Sequence, residues 1–156
     1  MSDFGIATNF GPEHTAETGT YRSMAPEVIT HQRYDQACDV YSFGVLLWEI
    51  CHQEIPFGKE SFLQAAFAVA VERKRPPIEL SQPLDYFGTL IQSCWTQEAA
   101  GRPTMADVVA DVEQIEVKLK QYCEANGDVC TSKGGSNAHL VCSAGSAGSA
   151  PLAPVT

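Results

Sequence analysis

The sequence is poor in positive charge, in long apolar runs and in strand-like alternation. Ten Lys and Arg stand against 19 Asp and Glu, a net charge of −9 over 156 residues. Phosphate backbones are held by basic faces, so a general nucleic-acid partner is disfavoured. Docking on anionic membranes is disfavoured for the same reason. A spanning helix needs about 18 consecutive apolar residues. The longest runs here, Phe43 to Trp48 and Ala65 to Val71, fall far short. Met1-Ser2-Asp3 opens with an acid and no apolar stretch follows, so no secretory signal is expected. The six cysteines, at 38, 51, 94, 123, 130 and 142, include no CxxC pair and no Cys/His cluster of zinc spacing. Cys38, Cys51 and Cys94 fall in helix-like segments and the others in or beside a polar tail. The thiols are therefore read as reduced and the protein as cytoplasmic.

What is present is a globular composition, 44% hydrophobic and 19% charged. A chain of this length buries roughly two-thirds of its unfolded surface, enough for one core. From Cys123 onward Gly, Ser, Ala and Pro fill 18 of the last 34 positions. Such a segment cannot offset its ordering entropy by burial, so residues 123–156 are expected to be a disordered tail. Residues 3 to about 24 hold three Gly, one Pro and four Thr without sustained period, a long loop of the kind that is usually functional. Five helix signals follow. Pro26 and Glu27 open a short helix. Asp35 can cap a helix over 37–52 that is apolar almost all round and hence central. A third is expected over about 60–73, with Phe62, Ala66, Val69 and Ala70 on one face and the Pro76-Pro77 pair ending it. A fourth is expected over about 83–95. The fifth starts at Thr104, with Asp107 completing an acidic capping box and Met105, Val108, Val109, Val112, Ile115, Leu119 and Tyr122 forming its face.

Three short motifs carry more. They are Asp3-Phe4-Gly5, Ala25-Pro26-Glu27, and Asp39-Val40-Tyr41-Ser42-Phe43-Gly44 on the central helix. In this order, with a loop of about twenty residues between the first two, they resemble the C-terminal lobe of a eukaryotic protein kinase. Cys94-Trp95 and Gly101-Arg102-Pro103-Thr104 match the family's next landmarks. Gly19-Thr20-Tyr21-Arg22-Ser23-Met24 is similar to the tyrosine-kinase-like group of serine/threonine kinases. The resemblance covers about residues 3–120. The implied fold is mainly α, a truncated helical C-lobe over 1–122. Residues 1–24 would be the activation segment and 25–122 the helical core.

The resemblance implies a role for each matching residue. Asp3 would hold the magnesium that bridges ATP phosphates, a carboxylate for a hard cation. Phe4 would pack to report active or inactive states, and Gly5 would let the loop flip. Thr15 and Thr18 are phosphosite candidates in the activation loop. Thr20 would sit in the substrate-docking loop. Glu27 and Arg102 would form a buried ion pair. Asp39 would accept backbone hydrogen bonds from the catalytic loop, and Leu46 and Ile50 would support the stack beneath the adenine. His14, His31, His52 and His139 lack metal spacing and are read as surface residues, and Trp48 and Trp95 as core.

A Gly-rich loop, a strand Lys paired with a helix Glu, and an HRDxxxxN catalytic loop have no counterpart here. His31-Gln32-Arg33 lies on the wrong side of Ala25-Pro26-Glu27 to serve. The catalytic base is absent from this chain, and Met1 stands almost on the Asp3 motif. The expectation is therefore a truncated serine/threonine kinase whose complete domain uses ATP and Mg2+ on a protein substrate. The fragment alone should be inactive and bind neither cofactor. The alternative is a kinase-lobe remnant, a non-catalytic module binding the missing N-terminal half or other proteins through exposed helices. Limited proteolysis is expected to trim the chain to a core ending near Tyr122; a protected tail would contradict the composition argument.

Overall fold

A computed structural model of the chain describes residues 21–127. Asp3, Phe4, Gly5, Thr15, Thr18 and Thr20, with His14, His139 and most of the tail, lie outside the described residues. The chain divides into two units, residues 1–115 and 116–156. Among the described residues all regular structure is helical and no strand occurs.

In the first unit, helix α1 (Pro26–Ile29) is a single turn with Pro at its start and Glu27 in its first turn. Thr30 closes it, its hydroxyl donating to Pro26 O at 2.9 Å. Helix α2 (Ala37–His52) begins where Asp35 Oδ1 accepts the Ala37 N–H at 2.9 Å. It ends at Gln53, whose φ of 55° turns the chain left-handed while its N–H bonds Glu49 O. Its buried residues Val40, Tyr41, Gly44, Val45, Trp48 and Cys51 recur at three- and four-residue steps, one face of a helix. Leu46 and Ile50 are 52% and 57% exposed. The uniformly apolar composition of α2 therefore does not translate into burial on every side.

Helix α3 (Phe62–Ala70) is shorter than the sequence suggests. Ser61 and Gln64 form a capping box, with Ser61 N–H donating to Gln64 Oε1 at 2.8 Å. Arg73, at φ 55°, turns the chain away before the proline pair is reached. The buried positions are Ala65, Ala66, Ala68 and Val69, while Phe62, Leu63, Phe67 and Val71 are exposed. The expected face was thus right at Ala66 and Val69 and wrong at Phe62. Small side chains let this helix lie close to its neighbours, and the large ones are left outside.

The fourth segment splits into a 3-10 turn (Leu84–Phe87) and helix α4 (Gly88–Cys94). A second 3-10 turn (Ala99–Gly101) leads to Arg102. Helix α5 (Met105–Asn126) starts as its capping box dictates. Thr104 N–H and hydroxyl both donate to Asp107 Oδ2, at 3.0 and 2.6 Å, and Asp107 N–H returns a bond to Thr104 Oγ1 at 3.2 Å. Those bonds from Thr104 hold the Asp107 carboxyl below its ordinary pKa. Val108 and Ile115 are buried in the first unit, but Met105 and Val109 are exposed, which narrows the expected face. In the second unit α5 continues to Asn126, with Leu119 and Cys123 buried. Cys123, expected in the tail, therefore belongs to the helix.

The core of the first unit gathers Ala25, Tyr41, Val45, Trp48, Cys51, Val69, Ile91 and Trp95. Helices α2 and α4 meet at Gly44, where an added Cβ would stand 2.6 Å from Cys94 Cβ. Gly44→Ala should therefore destabilise by about 1–3 kcal/mol through overpacking. At Gly88 an added Cβ meets only Ile78 Cγ2, at 3.6 Å, an ordinary contact. Gly88→Ala should be neutral or stabilising by up to about 1 kcal/mol, as expected when Gly gives way to Ala in a helix. Denaturant unfolding of the two variants checks the contrast.

Candidate functional site

The sequence places a carboxylate in α1 and a guanidinium just before α5, 75 positions apart. The fold brings them together. Arg102 Nη1 donates to Glu27 Oε1 at 2.7 Å and Nη2 to Glu27 Oε2 at 2.8 Å, a bidentate pair. The Arg102 side chain is 0% exposed and that of Glu27 11%. The remaining donors meet carbonyls: Nε to Thr96 O at 2.8 Å, Nη1 to Ala37 O at 2.9 Å, Nη2 to Gln97 O at 3.1 Å. All five guanidinium N–H groups are thereby used, which is the condition for keeping such a charge out of water.

Tyr41 lies beneath this pair. The Arg102 guanidinium carbon is 5.1 Å from its ring centroid, and so is that of Arg75. Arg75 donates to Trp95 O at 2.9 Å, Lys74 O at 2.8 Å and Gln97 Oε1 at 2.8 Å. Burial raises the Tyr41 phenol to about 12, against the two guanidinium groups, which act to lower it. Burial also lowers the pKa of Arg75, mainly offset by Tyr41.

Arg22 is a second anchor, to which no motif assigns a role. Its guanidinium donates to Pro56 O at 2.9 Å, to Phe57 O, and to Glu60 O at 2.6 Å, and lies 5.0 Å from the Phe62 ring centroid. Phe57 has φ 51°, a left-handed conformation that a bulky residue adopts only where its surroundings enforce it. Three carbonyls gathered on one cation supply that enforcement. Backbone acceptors leave no trace in a sequence, so nothing in the pattern of residues singled out Arg22.

Asp39, Leu46 and Ile50 share α2, and all three are exposed. The buried side of the same helix carries Tyr41, Val45 and Trp48. Among the thiols, burial raises Cys38 and Cys94 to about 11, with the Asp39 charge adding to the effect on Cys38. Burial also raises Cys51. All three are poor nucleophiles at neutral pH. The described cysteines 38, 51 and 94 are free thiols. Among the described residues no group of three or more His, Cys, Asp or Glu could hold a metal ion. No helix among them is long and apolar enough to cross a membrane. His31 is exposed, whereas His52, expected at the surface, is half-buried and stacks on Trp48 at 4.3 Å between centroids.

Comparison with known proteins adds an independent line. Residues 1–112 match the family described as protein tyrosine and serine/threonine kinase. The chain is 41% identical over 118 residues to the serine/threonine-protein kinase STY17 of Arabidopsis thaliana, covering 74% of this chain and 20% of that protein. It is 41% identical over 110 residues to the serine/threonine/tyrosine-protein kinase HT1 of the same plant, covering 70% and 28% respectively. It is 36% identical over 120 residues to human mitogen-activated protein kinase kinase kinase 11, covering 76% and 14%. The chain thus spans under a third of the length of each of these relatives.

Glu27→Ala should leave Arg102 buried and without its carboxylate, at a cost of roughly 3–5 kcal/mol. Arg102→Lys keeps the charge but loses the fork and carbonyl contacts, and should also destabilise strongly. Chemical denaturation checks both; a variant with the wild-type midpoint would show the pair to be dispensable.

Proposed function

The chain belongs to the protein kinase family, as part of a catalytic domain of the tyrosine-kinase-like kind, and on that premise we propose that it serves as the substrate-side lobe of an ATP-dependent protein serine/threonine kinase. The observation that carries this reading is the buried Glu27–Arg102 pair. It ties the segment following residues 19–24 to the helical core, which a loop that receives a protein substrate requires. Phosphoryl transfer depends on positioning and electrostatics, so a lobe contributes by holding groups in place.

Each residue then has its part. Asp3 is the proposed magnesium ligand. Magnesium, when bound with ATP in the complete domain, neutralises phosphate charge. A single carboxylate is one ligand of the six that ion takes, and the described residues supply no cluster to complete the set. Phe4 and Gly5 set the state of the segment after Asp3. Thr15 and Thr18 are the proposed phosphosites and Thr20 the residue facing the substrate. Arg22 holds the end of that segment on the carbonyls of Pro56, Phe57 and Glu60. The exposed Asp39 carboxylate suits backbone N–H groups of a catalytic loop, and exposed Leu46 and Ile50 suit the apolar residues beneath an adenine.

On this reading the chain alone neither binds nucleotide usefully nor transfers phosphate, and it is a protein of the cytoplasm. Calorimetry with Mg-ATP and a radiolabel transfer assay should both be silent. A magnesium-dependent signal abolished by Asp3→Ala would overturn that. Reading the transcript upstream of the Met1 codon separates the enzyme from an interaction module. A frame encoding a Gly-rich loop, a strand Lys and an HRD segment supports the kinase. A stop codon immediately upstream supports a module that binds other proteins through its exposed helices.

A further inference from the structure

Two side chains one turn apart on α2 grip the extended stretch that follows α3. Trp48 Nε1–H donates to Pro77 O at 2.8 Å. Glu79 N–H donates to His52 Nε2 at 3.1 Å. The other ring nitrogen, His52 Nδ1, is 2.9 Å from Trp48 O. A carbonyl can only accept and an amide N–H can only donate. The two contacts together therefore assign the ring: Nδ1 carries the proton and Nε2 offers its lone pair. Both contacts are made at once only by the neutral imidazole.

We propose that His52 is a pH-sensitive latch that holds residues 77–79 against the end of α2 while its ring is neutral, and releases Glu79 when Nε2 is protonated. A proton on Nε2 would point at the Glu79 N–H, and two donors cannot share that contact. The proton reaches the ring from solvent, because half-buried His52 lines an open groove of about 250 Å³ with Trp48, Cys51, Glu54, Glu79 and Leu84. The charged groups on that groove are Glu54, just past α2, and Glu79 on the gripped stretch itself. The 3-10 turn contributes Leu84, which carries no charge. Cys51, raised by burial, stays a thiol throughout. The Trp48 bond to Pro77 does not titrate, so release is confined to the Glu79 end.

Nitrogen NMR of the full chain tests the assignment directly. At neutral pH the His52 ring should carry its proton on Nδ1. On acidification the Glu79 amide resonance should move with the same midpoint as the ring. Its exchange protection, corrected for intrinsic rate, should fall about fivefold or more, as for one lost hydrogen bond. The Trp48 indole N–H should not move. In His52→Gln, whose amide oxygen can accept but not titrate, the step should vanish. A ring protonated on Nε2 at neutral pH, a Glu79 amide indifferent to the titration, or a step surviving in His52→Gln would each overturn the latch.

Discussion

A single buried cation organises the first unit. Arg102 draws together Glu27 of α1, the first carbonyl of α2, and the carbonyls of Thr96 and Gln97 after α4. No two of these stretches are adjacent in the chain, except the last pair. Removing a guanidinium from water costs several kcal/mol even after relaxation, so the pair is stable only because each donor finds an acceptor. The consequence is cooperative: an acceptor displaced anywhere in this set leaves a buried donor unsatisfied. Arginine is required for geometric reasons, since its fork matches a carboxylate while its outward N–H groups reach carbonyls on both sides. Tyr41, packed beneath Arg102 and Arg75, gives the two cations a polarisable floor instead of an unpaired apolar wall.

The parts of this fold that were legible in the sequence are those set by local chemistry. Asp35, one residue before the N-cap Gln36, marks the start of α2 by its bond to the Ala37 N–H, and Thr104 with Asp107 marks the start of α5, because such bonds join near neighbours. Helix faces were less legible. Phe62 and Ala66 share a helical period, yet only Ala66 is buried. Periodicity identifies a face, but the distance to the neighbouring helix decides whether large or small side chains fit there. Cys123 was hidden because Gly- and Ser-rich composition is averaged over a window, and the helix simply outlasts the change in composition. The Glu27–Arg102 contact was legible only through the order of the motifs; no local rule joins residues so far apart. Bonds to backbone carbonyls, as at Arg22, and the paired ring contacts of His52, have no sequence signature at all.

Burial on α2 and α3 is one-sided in different ways. On α2 the apolar composition is high on every side, yet Leu46 and Ile50 remain in contact with solvent. Leaving such side chains about half exposed forgoes roughly half of the ~1.5–3 kcal/mol that full burial of each would supply. On α3 the imbalance is of size: Leu63 is 74% exposed while the alanines beneath it are covered. Close approach there is achieved by the backbone itself, so α3 is anchored by its inner face regardless of what its outer face meets. The capping box at Ser61 and the Arg22 contact with Phe62 fix its N-terminal end, which leaves its position determined from one side only.

Gly44 has a mechanical meaning as well as a steric one. With Cys94 Cβ seated where a side chain would begin, α2 and α4 interlock like a peg in a notch. Sliding α4 along α2 would carry that peg away from the glycine and toward the residues one turn off on the same side, Val40 and Tyr41 or Leu47 and Trp48. The two helices therefore transmit force as one beam. Any flexing of the first unit must be taken up in the connecting stretches, where the left-handed residues Gln53, Phe57 and Arg73 already bend the chain.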